Sequence, residues 1–140
     1  MFEKLLLAVD GSTHALHTAR MAGDLARNMN AQSLRVVVAY SSIPSYLGEP
    51  NMQAVIDVRL QEANEVLESA LREVGEIQGD IFSEVLEGSP AEAILDVANA
   101  RAVDLIVMGS HGVGNLTGLL LGSTSQKVVS HAPCPVLIVR

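Results

Sequence analysis

The chain has 140 residues, of which 49% are apolar, 18% charged and 3% aromatic with no Trp, so it can bury one core of Leu, Ile, Val and Ala and is not a disordered segment. Nine Lys and Arg against sixteen Asp and Glu leave a formal charge of -7, the wrong sign for wrapping a phosphate backbone, and the few aromatics exclude a base-stacking platform. No nucleic-acid partner is expected.

The single cysteine, Cys134, can form neither an internal disulfide nor a multi-cysteine zinc site, which points to a reducing compartment. No apolar run approaches the ~20 residues of a membrane span. Met1-Phe2-Glu3-Lys4 carries neither a basic leader region nor a cleavage site before a strand-like segment, so the expectation is a soluble cytoplasmic protein without membrane contact.

Leu5-Leu6-Leu7-Ala8-Val9 is a short continuous apolar run that stops at Asp10-Gly11-Ser12, the pattern of a strand covered on both faces. From Thr13 to Met29, Ala15, Ala19, Ala22, Ala26 and Met29 recur at helical spacing, with Ser12 available as an N-cap. Val36-Val37-Val38-Ala39 predicts a second buried strand, and Pro44, Gly48 and Pro50 then forbid regular structure between Ser41 and Asn51. The apolar stripe from Met52 to Val74, flanked by Glu62, Glu65, Glu68, Arg72 and Glu73, predicts the longest helix.

Ile81 to Leu86 alternates imperfectly, with Ser83 and Glu84 interrupting it, which suits a strand at an edge. Ser89-Pro90-Ala91-Glu92 combines a capping box with proline at the first helical position and predicts a helix to about Arg101. Leu105-Ile106-Val107-Met108 is a further buried strand, Gly109 to Leu121 a loop, and Ser123 to about Ser130 a helix. Val136-Leu137-Ile138-Val139 is the last strand, after a turn marked by Pro133 and Pro135. Five strands alternating with four helices, without a hairpin signal, predict a single α/β domain over residues 1–140 with a parallel sheet and helices on both faces. Ligands of such sheets sit beyond the carboxyl ends of the strands where the strand order reverses, so function is expected after Val9, Val38, Leu86 and Met108.

Gly109-Ser110-His111-Gly112, followed nine residues later by Gly122-Ser123-Thr124 at a helix start, carries the chemistry. Glycines admit a ligand close to the backbone, and free amides at a helix start attract an anion. The expected ligand is a phosphate chain held by main-chain amides, with the Ser123 hydroxyl and Thr124 assisting. Taken singly, these glycines would merely turn the chain; in one strand-loop-helix unit they favour the phosphate. Asp10 either caps the next helix through the amides of Ser12 or Thr13, or meets a ligand at the end of its strand. His14, His17 and His131 read as solvated, Cys134 as a small packed residue, and His111 lies within reach of a phosphate but has no patterned catalytic partner.

The spacing Gly109-x2-Gly112-x9-Gly122-Ser123 resembles the ATP-binding signature of the universal stress protein family. The likeness runs the length of the chain, through Val9-Asp10-Gly11-Ser12 at the first strand end and His131-Ala132-Pro133-Cys134-Pro135-Val136 near the close. The resemblance implies a five-stranded parallel sheet of order 3-2-1-4-5 with ATP across the ends of strands one and four, over Ala8 and Val9. It implies Asp10 near the ribose, the backbone from Val38 to Tyr40 against the adenine edge, and Met108 and Gly109 under the nucleoside. Gly112, Gly122, Ser123 and Thr124 would surround the phosphates. Tyr40 stands where many members carry a smaller aliphatic residue. The resemblance also implies a homodimer through the closing strand, Val136 to Val139, whose edge lacks protecting charges.

Competing readings fail on particular residues. There is no Gly-Lys pair for a Walker loop, no glycine fingerprint after the first strand for a dinucleotide, and no Gly-x-Ser-x-Gly elbow. A receiver domain wants an aspartate where Glu87-Gly88 stands. The expectation is a protein that binds ATP, or ADP or AMP, with Mg2+ or Mn2+ neutralising the phosphates, and acts as a nucleotide-dependent stress-response or regulatory protein. The alternative is a slow hydrolase or phosphotransferase, for which Ser110, His111, Lys127 and a recruited metal are the available groups.

Overall fold

The computed structural model describes residues 2–12, 14–40, 48, 51–110 and 121–140. Its elements are β1 (Lys4–Val9), α1 (His14–Met29), β2 (Ser33–Tyr40), α2 (Asn51–Val74), β3 (Asp80–Glu87), α3 (Pro90–Ala100), β4 (Leu105–Gly109), α4 (Ser123–His131) and β5 (Val136–Val139). The strands form one sheet of order β3-β2-β1-β4-β5, every pair parallel, as the family likeness implied.

β1 is central, and its alternating side chains divide the interior into two layers. Leu5, Leu7 and Val9 face α1 and α2, where Ala15, Ala19, Ala22 and Ala26 meet Ala63, Leu67, Ala70 and Val74. Leu6 and Ala8 face the other way, toward Ala91, Ile94 and Ala98 of α3 and Val128 of α4. Leu5, Leu6 and Leu7 are at most 1% exposed, so each gains about 1.5–3 kcal/mol from burial. The small residues of α1 let it come close to α2: a Cβ on Gly23 would stand 2.3 Å from the Val74 carbonyl oxygen.

The strands run further than their apolar cores, because ladder bonding continues through Lys4, Ser33, Asp80 and Glu87 whatever their side chains. Asp104 fixes the start of β1: its carboxylate accepts from the Glu3 and Lys4 amides at 2.9 and 3.0 Å, and its own amide donates to the Lys4 carbonyl at 2.9 Å. β3 does lie at an edge, leaving Phe82 43% exposed beneath the Arg35 guanidinium, 4.6 Å from the ring centre.

Two local expectations change. Ser89 is the N-cap of α3 and Pro90 opens the helix, but no side-chain cap bond forms; Glu92 instead lies 3.4 Å from Lys127 of α4. At α1 the Ser12 contribution is its carbonyl, which accepts from Ala15 N–H at 3.1 Å. Most of the segment from Ser41 to Asn51 lies outside the described residues, and α2 begins at Asn51 itself.

Candidate functional site

The strand order reverses between β1 and β4, and Ala8 of β1 stands opposite Met108 of β4 in the last paired position. Val9 pairs with Val38 of β2. Ala8, Val9, Val38 and Met108 are all buried, so near this end of the sheet they offer backbone rather than side chains. Tyr40 packs its ring against the α1–α2 core, while its carbonyl accepts from Gly88 N–H at 2.8 Å and ties β2 to the turn before α3.

Asp10 follows directly after β1 and is half-buried. Its Oδ1 accepts from Ser12 N–H at 2.9 Å, the turn-forming role that the sequence allowed. Among the described residues no side-chain bond uses Oδ2, so the carboxylate keeps acceptor capacity beside the switch point.

Opposite Asp10, β4 passes into a tightly tied unit. Ser110 donates its amide to Val139 O at 3.0 Å, and its carbonyl accepts from Gly122 N–H at 2.8 Å. The second bond brings the start of α4 against the end of β4. The Ser125 hydroxyl reinforces it, donating to Gly109 O at 2.8 Å from a position that is 3% exposed. Gly122 is the N-cap, with φ -63 and ψ 160, and makes no side-chain cap; the first turn holds no acid. The first helix-spanning bond is Gln126 N–H to Gly122 O at 2.9 Å, so the amides of Ser123, Thr124 and Ser125 have no intrahelical acceptor. Ser123 is exposed and Thr124 half-buried. Ser110 is 7% exposed, and its hydroxyl makes no hydrogen bond to a described residue. A buried hydroxyl beside uncapped amides is an environment that favours an anionic oxygen.

Gly112 and His111 lie outside the described residues. Lys127 is held by Glu92 rather than standing free, and the His131 ring meets Lys127 O through Nδ1 at 3.0 Å. His14 and His17 are exposed, as expected. Cys134 packs against the α3–α4 layer, where burial first and the Asp104 charge second push its thiol above the ordinary 9.0. Among the described residues no group of three His, Cys, Asp or Glu side chains could hold a metal, and no helix is long and apolar enough to cross a membrane.

Sequence reasoning missed Ser125, whose position in a helical first turn gives no sign of its reach to β4. It also missed a groove of about 420 Å³ between α1 and α2, which begins at Asp10, Gly11 and Ser12 and runs to Ser69 and Ala70. Its carboxylates, Glu62 and Glu65 among them, make it the wrong place for a triphosphate.

Residues 1–140 match the Universal stress protein family. A universal stress protein of Thermus aquaticus is 47% identical over 140 residues, covering 100% of both chains. Among solved structures, the universal stress protein UspA from Lactobacillus plantarum superposes with a TM-score of 0.86 at 26% identity, over 99% of this chain and 98% of that one. A universal stress protein in complex with cAMP superposes with a TM-score of 0.76, also at 26% identity, over 99% and 97% of the two chains.

Proposed function

Because this chain belongs to the universal stress protein family, we propose that it binds an adenine nucleotide across the carboxyl ends of β1 and β4 and uses it to set its conformation or its choice of partner in a stress response. The observation that carries this is the uncapped start of α4, tied by Gly122 to Ser110 at the point where the strand order reverses. The relative solved with cAMP supports an adenine nucleotide as the ligand class.

In this reading Asp10 lies near the ribose, the backbone over Ala8, Val9 and Val38 to Tyr40 meets the base, and Met108 and Gly109 lie beneath the nucleoside. Gly112, Gly122, Ser123 and Thr124 surround the phosphates. Ser110 adds a buried hydroxyl that makes no hydrogen bond to a described residue. ATP, with ADP and AMP as lesser ligands, is the proposed occupant. Any Mg2+ or Mn2+ would be held by phosphate oxygens and water, since the described residues offer no carboxylate cluster for it. Slow hydrolysis on the same site is the weaker reading: Lys127, the cation it would call on, is engaged with Glu92 at 3.4 Å.

The same proposal includes a two-fold dimer through β5. The carbonyls of Pro135, just before β5, and of Val139 accept from Ile106 and Ser110 on the β4 side, so Val136 and Ile138 turn their backbone groups to the free edge.

Ser123→Asp tests the nucleotide site. An acid in the first turn favours the helix by about 0.3–1 kcal/mol, and Ser123 is exposed, so the fold is retained while a phosphate is repelled. Calorimetric titration with ATP, ADP, AMP and cAMP should show at least about tenfold weaker binding in the variant, with an unchanged or slightly raised melting temperature. Equal affinity in both proteins would remove the α4 start as the phosphate site.

A further inference from the structure

We propose that the groove between α1 and the middle of α2 is a second ligand site, for a small organic cation: an ammonium or guanidinium carried on an apolar body. The groove is bordered by both helices and by the turn that follows β1. The helices are in backbone contact at Gly23 and Val74, and toward the amino end of α1 a space of about 420 Å³ opens beside the end of β1, lined on its floor by Ala15 and Ala70. That volume falls within the ~300–1,000 Å³ of ordinary small-molecule pockets.

The lining gives the chemistry of the occupant. Ala15 and Leu16 from α1 face Val66 and Ala70 from α2, and Leu16 remains 39% exposed, so apolar surface is left to water. Among the described residues, the carboxylates Asp10, Glu62 and Glu65 stand around this surface, and no lysine, arginine or histidine lines the groove. The arginines of α1 are engaged elsewhere: Arg20 pairs with Glu73 at 2.9 Å, and Arg27 with Asp24 at 2.7 Å. An apolar body would cover Leu16 and Val66 while its cationic end meets the carboxylates, a match that a neutral or anionic ligand of the same shape lacks.

The site is distinct from the phosphate-binding position proposed above, although Asp10 borders both. Carboxylates that attract an ammonium repel a phosphate, so the two ligands are sorted by charge to opposite sides of the β1 end.

Phenethylamine is the probe, followed through the amide NMR spectrum of the full chain, with phenethyl alcohol as its neutral counterpart. The expected result is saturable binding of the amine, with shifts at Leu16, Glu62 and Val66, and binding of the alcohol weaker by about tenfold. The Glu62→Gln, Glu65→Gln double variant should lose about the same factor with its spectrum otherwise intact, because both side chains are exposed. Ser123→Asp should bind the amine as the unaltered protein does, so failure of the nucleotide reading and failure of this one are separable. Equal binding of amine and alcohol, an unaltered affinity in the double variant, or the absence of saturable shifts would each overturn the proposal.

Discussion

Gly23 of α1 stands against the backbone of Val74 at the end of α2, so close that a methyl group placed on it would lie 2.3 Å from the Val74 carbonyl oxygen. Glycine inside a helix ordinarily costs about 1 kcal/mol relative to alanine. Here the steric term has the opposite sign and is larger, because the opposing atom belongs to a main chain that cannot swing away. Gly23→Ala is expected to destabilise the protein by a net ~1–3 kcal/mol in urea unfolding. A stabilised variant would mean that the helices can separate freely.

Two arginines on α1 make contacts of unequal worth. Arg27 donates to the Val74 carbonyl at 2.7 Å and the Glu76 carbonyl at 3.0 Å, satisfying acceptors at the carboxyl end of α2. Arg20 reaches Glu73 at 2.9 Å with its own side chain 61% exposed. Arg27→Ala should therefore cost about 1–3 kcal/mol, and Arg20→Ala no more than about 1 kcal/mol. Denaturation midpoints for the two variants, measured side by side, check the order.

The proposed dimer has a test that leaves the ladder to β4 intact. Val139 is only 4% exposed and sits in the α1–α2 core, so a lysine there would unfold the chain rather than split a dimer. Ile138→Pro instead removes an amide on the free edge, where proline is tolerated. Light scattering should show the unaltered protein as a dimer and the variant as a folded monomer. A monomeric unaltered protein at high concentration would dismiss the pairing.

Cys134 sets a pH dependence. Burial and the Asp104 charge raise its thiol above 9.0, so the folded state holds the proton more tightly than the unfolded state does. The corresponding stabilisation is present below the unfolded value and is lost as pH rises through the folded one. Unfolding free energy should fall above about pH 9 more steeply than in Cys134→Ser, and alkylation of the native thiol at neutral pH should be slow. Rapid alkylation of the folded protein would contradict this.

The central strands were legible because burial on both faces leaves a sequence trace: Leu5 to Val9 and Leu105 to Met108 are apolar throughout. The edge position of β3 was legible for the converse reason, through Ser83 and Glu84. Side-chain choices at helix starts were less so. Glu92 had two possible partners, the Ser89 amide and the Lys127 ammonium, and only the packing of α3 beside α4 decides between them. The start of α4 was visible from Gly122 and Ser123, whereas the groove beside Asp10 was not, since it depends on where α1 and α2 touch. That contact rests on a glycine whose neighbour lies 51 positions away.

The bond between Ser110 O and Gly122 N–H has an evolutionary consequence. It closes the chain on itself with residues 111–121 between its ends, so the register of β4 and the docking of α4 are secured outside that stretch. Loop closure grows costlier only slowly, by about 0.6 kcal/mol per doubling of length. The length of chain between these two anchors can therefore drift over evolution while the sheet and α4 keep their places.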